Sequence, residues 1–357
     1  MVITHLHWSG RPIIGGIERH LDSLIPALQD RGHKSILLCG MGDESTGYQK
    51  VESGLKLSTD FDIDKFLQKN EEILGNSSVF HFHNGHVISP EKTLEIYQRI
   101  DDKTPKILSI HNIAENPESR EIVDLPFDKV ITYSSFMRDS VRRVYGIDSV
   151  VMPCYVTLLE SSYGGSREGS TPQVLQPTRF SKWKGSHLSV ECITDLIEEG
   201  YDLTFVHGGS ERLLFDEWPK NSESLGKYLQ SGQIVFRDYN FDEIGNAIQN
   251  SDLIIHPTVG SGVHGEPFSI SCLESIVYGK QIIASRSGYL PSLLEGYSLG
   301  TLVDVRDKDG LYNAIKASLE NRFQKPNSND RQVMSRLRDY IRGGLEAHEL
   351  LYGSLAN

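Results

Sequence analysis

The chain has 357 residues, long for one core and ample for two α/β domains of ordinary size. Its 48 acidic against 36 basic residues give a formal charge of −12, which repels a phosphate backbone and argues against a nucleic-acid partner. Four scattered cysteines (Cys39, Cys154, Cys192, Cys272) with no CxxC pair, no signal-like start and no stretch near the ~18 apolar residues of a membrane span together lead us to expect a cytoplasmic protein with reduced thiols.

In chain order, short β-rich runs alternate with segments of helical period. VITHLHW (2–8) is read as a strand and is followed by GGIERHLDSLIPALQDRG, where Ile17, Leu21, Leu24, Ile25 and Leu28 fall on one helical face. KSILLCG, SVFHFH, KILSIH, KVITYS and SVVMP read as further strands, apolar and β-branched as in a parallel sheet buried on both faces. TDFDID (59–64) contains a DxD pattern, but it runs into KFLQKNEEIL and is read as a helix cap by Asp62 or Asp64. Arg138, Arg142 and Arg143 share a predicted helix and are read as a solvated face, so that peripheral membrane contact is not supported.

After Pro153 comes a Gly- and Ser-rich stretch, taken as the domain boundary. A second alternating series follows, with strands at QVLQPTR, LTFVHGG, QIVFRD, DLIIHPT, QIIASRSG and LGTLVDV and helices from about Leu188, Asp242 and Phe268. The expected fold class is therefore α/β: two Rossmann-like domains, 1–153 and 154–330, facing across a cleft. From Arg331 an amphipathic helix (331–357), with Val333, Leu337, Tyr340 and Ile341 on one face, is expected to pack back on the first domain.

Three segments carry candidate chemistry. Gly15 and Gly16 stand where a first strand turns into a helix, a turn that can offer amides to an anion or simply be how such a unit is built. Arg179 and Lys184, five apart in PTRFSKWKG at a strand's carboxyl end, suit a diphosphate, or else form a solvated basic loop. In GSGVHGEPFSISCLE, Pro267 is placed at the first helical position, with Glu266 at the helix mouth and Glu274 two turns deeper, about 12 Å along the axis. The amides of Phe268, Ser269 and Ile270 would face a phosphate, and the two carboxylates would accept from sugar and ribose hydroxyls. Among the histidines, His81 and His83 share a strand face and in principle a metal, but no carboxylate or thiol pattern accompanies them, and no metal is expected. His111 sits at another strand end.

Taken in order, GGIERH, HFHNGH, SIHN, PTRFSKWKG, VHGG, VFRD and GEPFSISCLE followed by IIASRSG resemble the family 4 retaining glycosyltransferases of the GT-B fold. The resemblance implies a nucleotide-sugar donor, a UDP-sugar first among them, and retaining, metal-independent transfer of a hexose to an acceptor hydroxyl without a cofactor. It implies that Gly15 and Gly16 approach the donor phosphate, Arg179 and Lys184 neutralise the diphosphate, Glu274 holds the ribose, Arg237 flanks the base, and Glu266 with the amides after it holds the sugar. His111 matches the strand-end histidine beside the reacting sugar. Ser269 stands where the family usually has Gly, and Cys154, Tyr155, Val156 and Thr157 replace a common PNGVD junction. The acceptor and the oligomeric state are left open, and a sugar-nucleotide epimerase or phosphorylase and a non-catalytic nucleotide-sugar-binding partner remain alternatives.

Overall fold

The computed structural model describes residues 1–10, 15–39, 50–52, 63–159, 171–209, 223–321 and 323–356. The chain divides into two compact units, Met1–Thr157 with Tyr340–Asn357, and Leu158–Asp339. In the first, strands β1 (Val2–Leu6), β2 (Lys34–Cys39), β3 (Lys50–Glu52), β4 (Val79–His83), β5 (Lys106–Ser109), β6 (Lys129–Thr132) and β7 (Val150–Val151) form one sheet in the order β3-β2-β1-β4-β5-β6-β7. In the second, β8 (Gln173–Gln176), β9 (Thr204–Gly208), β10 (Ile234–Arg237), β11 (Leu253–His256), β12 (Gln281–Ser285) and β13 (Gly300–Val303) follow the order β10-β9-β8-β11-β12-β13. Every recorded pairing is parallel.

Parallel strands need crossover helices, which cover both sheet faces, so residues of either parity along a strand are buried. All five residues of β4 and all four of β11 are buried. In the second unit Phe205, Leu253, Ile255 and Ile283 of the sheet pack with Ile193, Leu196, Leu311 and Ile315 of the flanking helices. Each such fully buried side chain stabilises by roughly 1.5–3 kcal/mol. The two orders place a reversal of winding between β1 and β4 and again between β8 and β11, the positions where open α/β sheets leave a crevice at the carboxyl ends.

The boundary falls between Thr157 and Leu158 rather than after Pro153. His20 Nδ1 donates to the carbonyl of Tyr155 (2.8 Å) and the Thr157 amide donates to Ser23 Oγ (3.0 Å), tying these residues to the first helix, Gly16–Asp30. The Leu159 amide instead donates to the Tyr278 hydroxyl. The last helix runs Ser328–Ala356, starting three residues before Arg331, because buried Asp330 accepts from the amides of Asn327 and Ser298. Its residues up to Asp339 belong to the second unit, and from Tyr340 to the first. There Gly344 lets it run close to the chain: a Cβ would lie 3.0 Å from the Pro153 carbonyl oxygen.

Candidate functional site

In the second unit the loops after β8, β11 and β12 are knitted together. Gly185 has φ 72°, and a Cβ on it would meet the Pro257 carbonyl oxygen at 2.0 Å, so the loop holding Lys184 lies directly against the one leaving β11. Buried Gln176, the last residue of β8, donates to the Lys184 carbonyl (3.0 Å) and accepts from Ser189 Oγ (2.6 Å). The Lys184 Nζ thereby reaches Glu266 Oε2 at 2.7 Å and lies 4.4 Å from the Trp183 ring centroid. Glu266, 3% exposed, also accepts from Thr258 Oγ1 (3.1 Å), while its amide donates to Ser287 Oγ and its carbonyl accepts from the Tyr289 amide. The carboxylate is thus satisfied by a cation and a hydroxyl, as a buried charge must be.

Gly288 makes a second close approach, to the backbone of Glu266 itself. It has φ 53°, and a Cβ would lie 2.1 Å from the Glu266 carbonyl oxygen and 2.4 Å from its nitrogen. Gly288→Ala should therefore displace Glu266 and cost about 3 kcal/mol. Thermal denaturation checks this; an unchanged midpoint would show that the loop yields freely.

The acidic segment differs from its expected form. The helix starts at Ile270, not near Pro267, and Ser269 is its N-cap, with Oγ accepting from the Cys272 amide (3.3 Å). A Ser with an acceptor side chain outcompetes Pro as the start signal here. Glu266, Pro267 and Phe268 precede the helix, so the calculated 12 Å axial separation of the carboxylates does not apply. The amides left without an intrahelical acceptor run from Ser269 to Cys272, since the Leu273 amide makes the first such bond, to the Ser269 carbonyl; Phe268 is therefore not among them, and Ser271, which was not expected, is. Glu274 lies in the second turn and is fully buried. Phe268 stacks on Tyr289, centroids 5.9 Å apart. Arg179 is exposed in the same loop as Lys184, backed by Gly209, whose Cβ would lie 2.8 Å from the Arg179 Cα. Arg237 ends β10, its guanidinium 5.0 Å from the Tyr239 ring centroid.

In the first unit, Gly15 caps the helix beginning at Gly16, as the strand–glycine–helix reading expects. Glu18 curls back over it: a Cβ on Gly15 would lie 2.2 Å from Glu18 Oε2. Burial opposes the Glu18 charge, but hydrogen bonds from His7 Nε2 (3.4 Å), Ser9 Oγ (2.5 Å) and its own amide hold its pKa down to about 2. An anion already stands at this helix start, a feature that the GGIE pattern did not reveal. His111 lies two residues beyond β5, stacked on Tyr133 (4.9 Å, 28°), with its Nε2 atom out of contact with water and without a hydrogen-bond partner among the described residues. Burial, reinforced by His20, His7 and His86, holds its pKa well below the ordinary histidine value, so the ring is neutral at pH 7.

Sequence models of two protein families match the chain, "Glycosyl transferases group 1" over residues 165–336 and "Glycosyltransferase Family 4" over 14–158. Between them they leave only residues 1–13, 159–164 and 337–357 unmatched. The chain belongs to the family 4 GT-B glycosyltransferases. Solved structures agree on the fold of this glycosyltransferase. Sucrose-phosphate synthase from Thermosynechococcus elongatus is similar over 99% of both chains at 16% identity, TM-score 0.72. Anabaena HepE in complex with UDP and glucose is similar over 98% of both chains at 16% identity, TM-score 0.74. A glycosyltransferase from Rickettsia africae is similar over 99% of this chain and 98% of its own at 16% identity, TM-score 0.70. No curated protein matches the sequence.

Other sequence candidates lie elsewhere in the glycosyltransferase. Arg138 and Arg142 are exposed and paired with Asp139 (2.9 Å) and Asp148, as a solvated face requires. Asp64 lies within the helix Ile63–Lys69 rather than capping it, and Asp62 lies outside the described residues. The four cysteines are buried free thiols. Nitrogens of His5, His81 and His83 lie within 4.8 Å of one another in the fully buried core. Both His81 nitrogens are engaged, by the Tyr352 hydroxyl (2.8 Å) and Ser109 Oγ (2.6 Å), and the His81 and His83 ring centroids lie 3.9 Å apart with the planes tilted by 33°. With both its nitrogens so bound, His81 serves the hydrogen-bonded core.

Proposed function

We propose that this glycosyltransferase transfers a hexose from a UDP-sugar to an acceptor hydroxyl with retention at the anomeric carbon. The observation carrying this is the 2.7 Å pair of Lys184 and Glu266 at the carboxyl ends of β8 and β11. A phosphate reached by Lys184 lies beside hydroxyls reached by Glu266, which is the spacing of a sugar on a diphosphate. HepE, similar in fold, is solved with UDP-glucose, which supports the same donor class.

The bond from C1 to the β-phosphate oxygen breaks as the bond from C1 to the acceptor oxygen forms on the same face. The acceptor's proton passes to the departing phosphate oxygen. Arg179 and Lys184 neutralise that leaving group, and the amides of Ile270 and Ser271 add the positive end of a helix. Such fixed charges stabilise a departing diphosphate without a bound metal. The neutral imidazole of His111, by the family likeness, takes the hydroxyls of the reacting sugar.

Thermal-shift screening with UDP-, GDP- and ADP-glucose tests the donor, since a ligand of the folded state raises the midpoint. NMR of the first-formed product tests retention. Isomerised donor in the absence of acceptor would replace this reading with an epimerase. A sharper test separates the carboxylates. Glu274→Gln should weaken UDP and UDP-glucose alike by about tenfold, because ribose is common to both. Glu266→Gln should weaken UDP-glucose alone. Calorimetric titration decides, and wild-type UDP affinity in Glu274→Gln would remove that residue from the ribose site.

A further inference from the structure

The backbone that presents His111 is no longer strand, since β5 ends at Ser109, yet it is held at nearly every residue. Asn84 Oδ1 accepts the amides of both His111 (3.3 Å) and Asn112 (3.2 Å), and the Asn84 amide donates to the Ser109 carbonyl (2.9 Å). His86 Nε2 donates to the Asn112 carbonyl (2.9 Å), and the Tyr145 hydroxyl donates to the Ala114 carbonyl (2.6 Å) while accepting its amide (2.9 Å).

Of these holders Asn84 is the one in a costly conformation. Its φ is 57° and ψ 22°, and Arg306 is the other described non-glycine residue with positive φ. Glycine would adopt this left-handed geometry freely. An asparagine kept here at 2% exposure contributes what glycine lacks, an acceptor oxygen spanning two consecutive amides. Gly85, next in sequence, fixes the turn further, since a Cβ there would meet Thr93 Cγ2 at 2.7 Å.

We propose that Asn84 is a positioning residue for transfer, setting the height and direction of His111 at the carboxyl end of the sheet. This rests on the reading of His111 as the residue beside the reacting sugar. Asn84 touches the backbone of His111 and not the substrate, so its effect runs through that imidazole.

The test uses UDP-glucose with water as acceptor: water attacks C1 as the bond to the β-phosphate oxygen breaks, its proton passes to that oxygen, and released UDP is counted. Asn84→Gly keeps the left-handed φ and removes the acceptor. It should lower turnover by roughly ten- to a hundredfold, as displaced groups near the chemistry do, with the calorimetric Kd for UDP-glucose unchanged within about twofold. In a His111→Ala background the same change should cause no further loss, and Asn84→Asp, which restores an acceptor, should recover most of the turnover. Should the glycine variant fail to fold, Asn84→Ser, too short to span both amides, carries the same comparison. Wild-type turnover in the variant lacking the acceptor, or an equal fractional loss with and without His111, overturns the positioning role alone. Full turnover in His111→Ala overturns the reading of His111, and the positioning role with it.

Discussion

Lys184→Ala is expected to lower turnover of a UDP-sugar by about two to three orders of magnitude while weakening donor binding less than tenfold. The asymmetry follows from when the charge appears. The leaving diphosphate gains negative charge as the C1–O bond breaks, so a cation fixed beside it stabilises the transition state more than the bound donor. The pair geometry adds a second consequence. Removing the ammonium leaves Glu266, 3% exposed, with Thr258 as its partner on Oε2 and its charge uncompensated. Breaking a buried pair from one side costs roughly 3 kcal/mol, so the folded protein should also melt earlier. Lys184→Ala combined with Glu266→Gln should recover that stability without recovering turnover, which separates the charge's structural part from its chemical one. Steady-state kinetics with calorimetry checks the first point. Equal losses in binding and turnover would mean that Lys184 acts on the ground state only.

The two-sheet architecture was legible because parallel strands buried on both faces leave short runs rich in apolar and β-branched residues, such as LIIH. Both switch points follow from strand order, which the alternation of runs suggests but does not fix. In the second unit Lys184 and Glu266 could be chosen from their loops, but their direct contact could not. It depends on Gly185 and Gly288, whose close approaches to Pro257 and Glu266 join residues far apart in sequence. The start of the acidic helix was misplaced because Pro267 and Ser269 both signal helix beginnings, and the side-chain bond of Ser269 to Cys272 decided between them. In the first unit the sequence placed His81 and His83 on one strand face but joined them to no other element. Their assembly needs His348 and Tyr352, which only the return of the last helix supplies.

That assembly makes acid the protein's weak point. His5 and His20 have pKa values of about 3, His86 and His348 of about 4, and His81, His83 and His111 lie well below the usual value, in each case chiefly through burial. The hydrogen bonds show why extra protons strain the core and where one enters first. His20 and His348 each donate from Nδ1 to a carbonyl, of Tyr155 and Gly344, so in their neutral forms both Nε2 atoms accept. Both point at the hydroxyl of Tyr133, at 3.1 and 3.3 Å, which has one proton for two acceptors. Protonating one ring satisfies that contact, but it places a cation, with no carboxylate bonded to it among the described residues, 5.2 Å from the other imidazole, both rings packed on the Tyr133 phenol. In the unfolded chain each of the seven rings binds its proton near pH 6.5, whereas in the folded one His5 and His20 bind theirs at about pH 3, His86 and His348 at about 4, and His81, His83 and His111 well below the usual value. Their contribution is therefore complete above pH 6.5 and is lost as pH falls, by up to about 1.4 kcal/mol per ring per pH unit. Carboxylates titrate mostly below this window, so the loss between pH 6.5 and 5 belongs to the histidines. The midpoint of thermal unfolding should be nearly flat from pH 7 to 8 and drop steeply below 6.5, with a slope equivalent to several protons taken up on unfolding. A slope of less than about two protons would mean that water or rearrangement already relieves the cluster in the folded state.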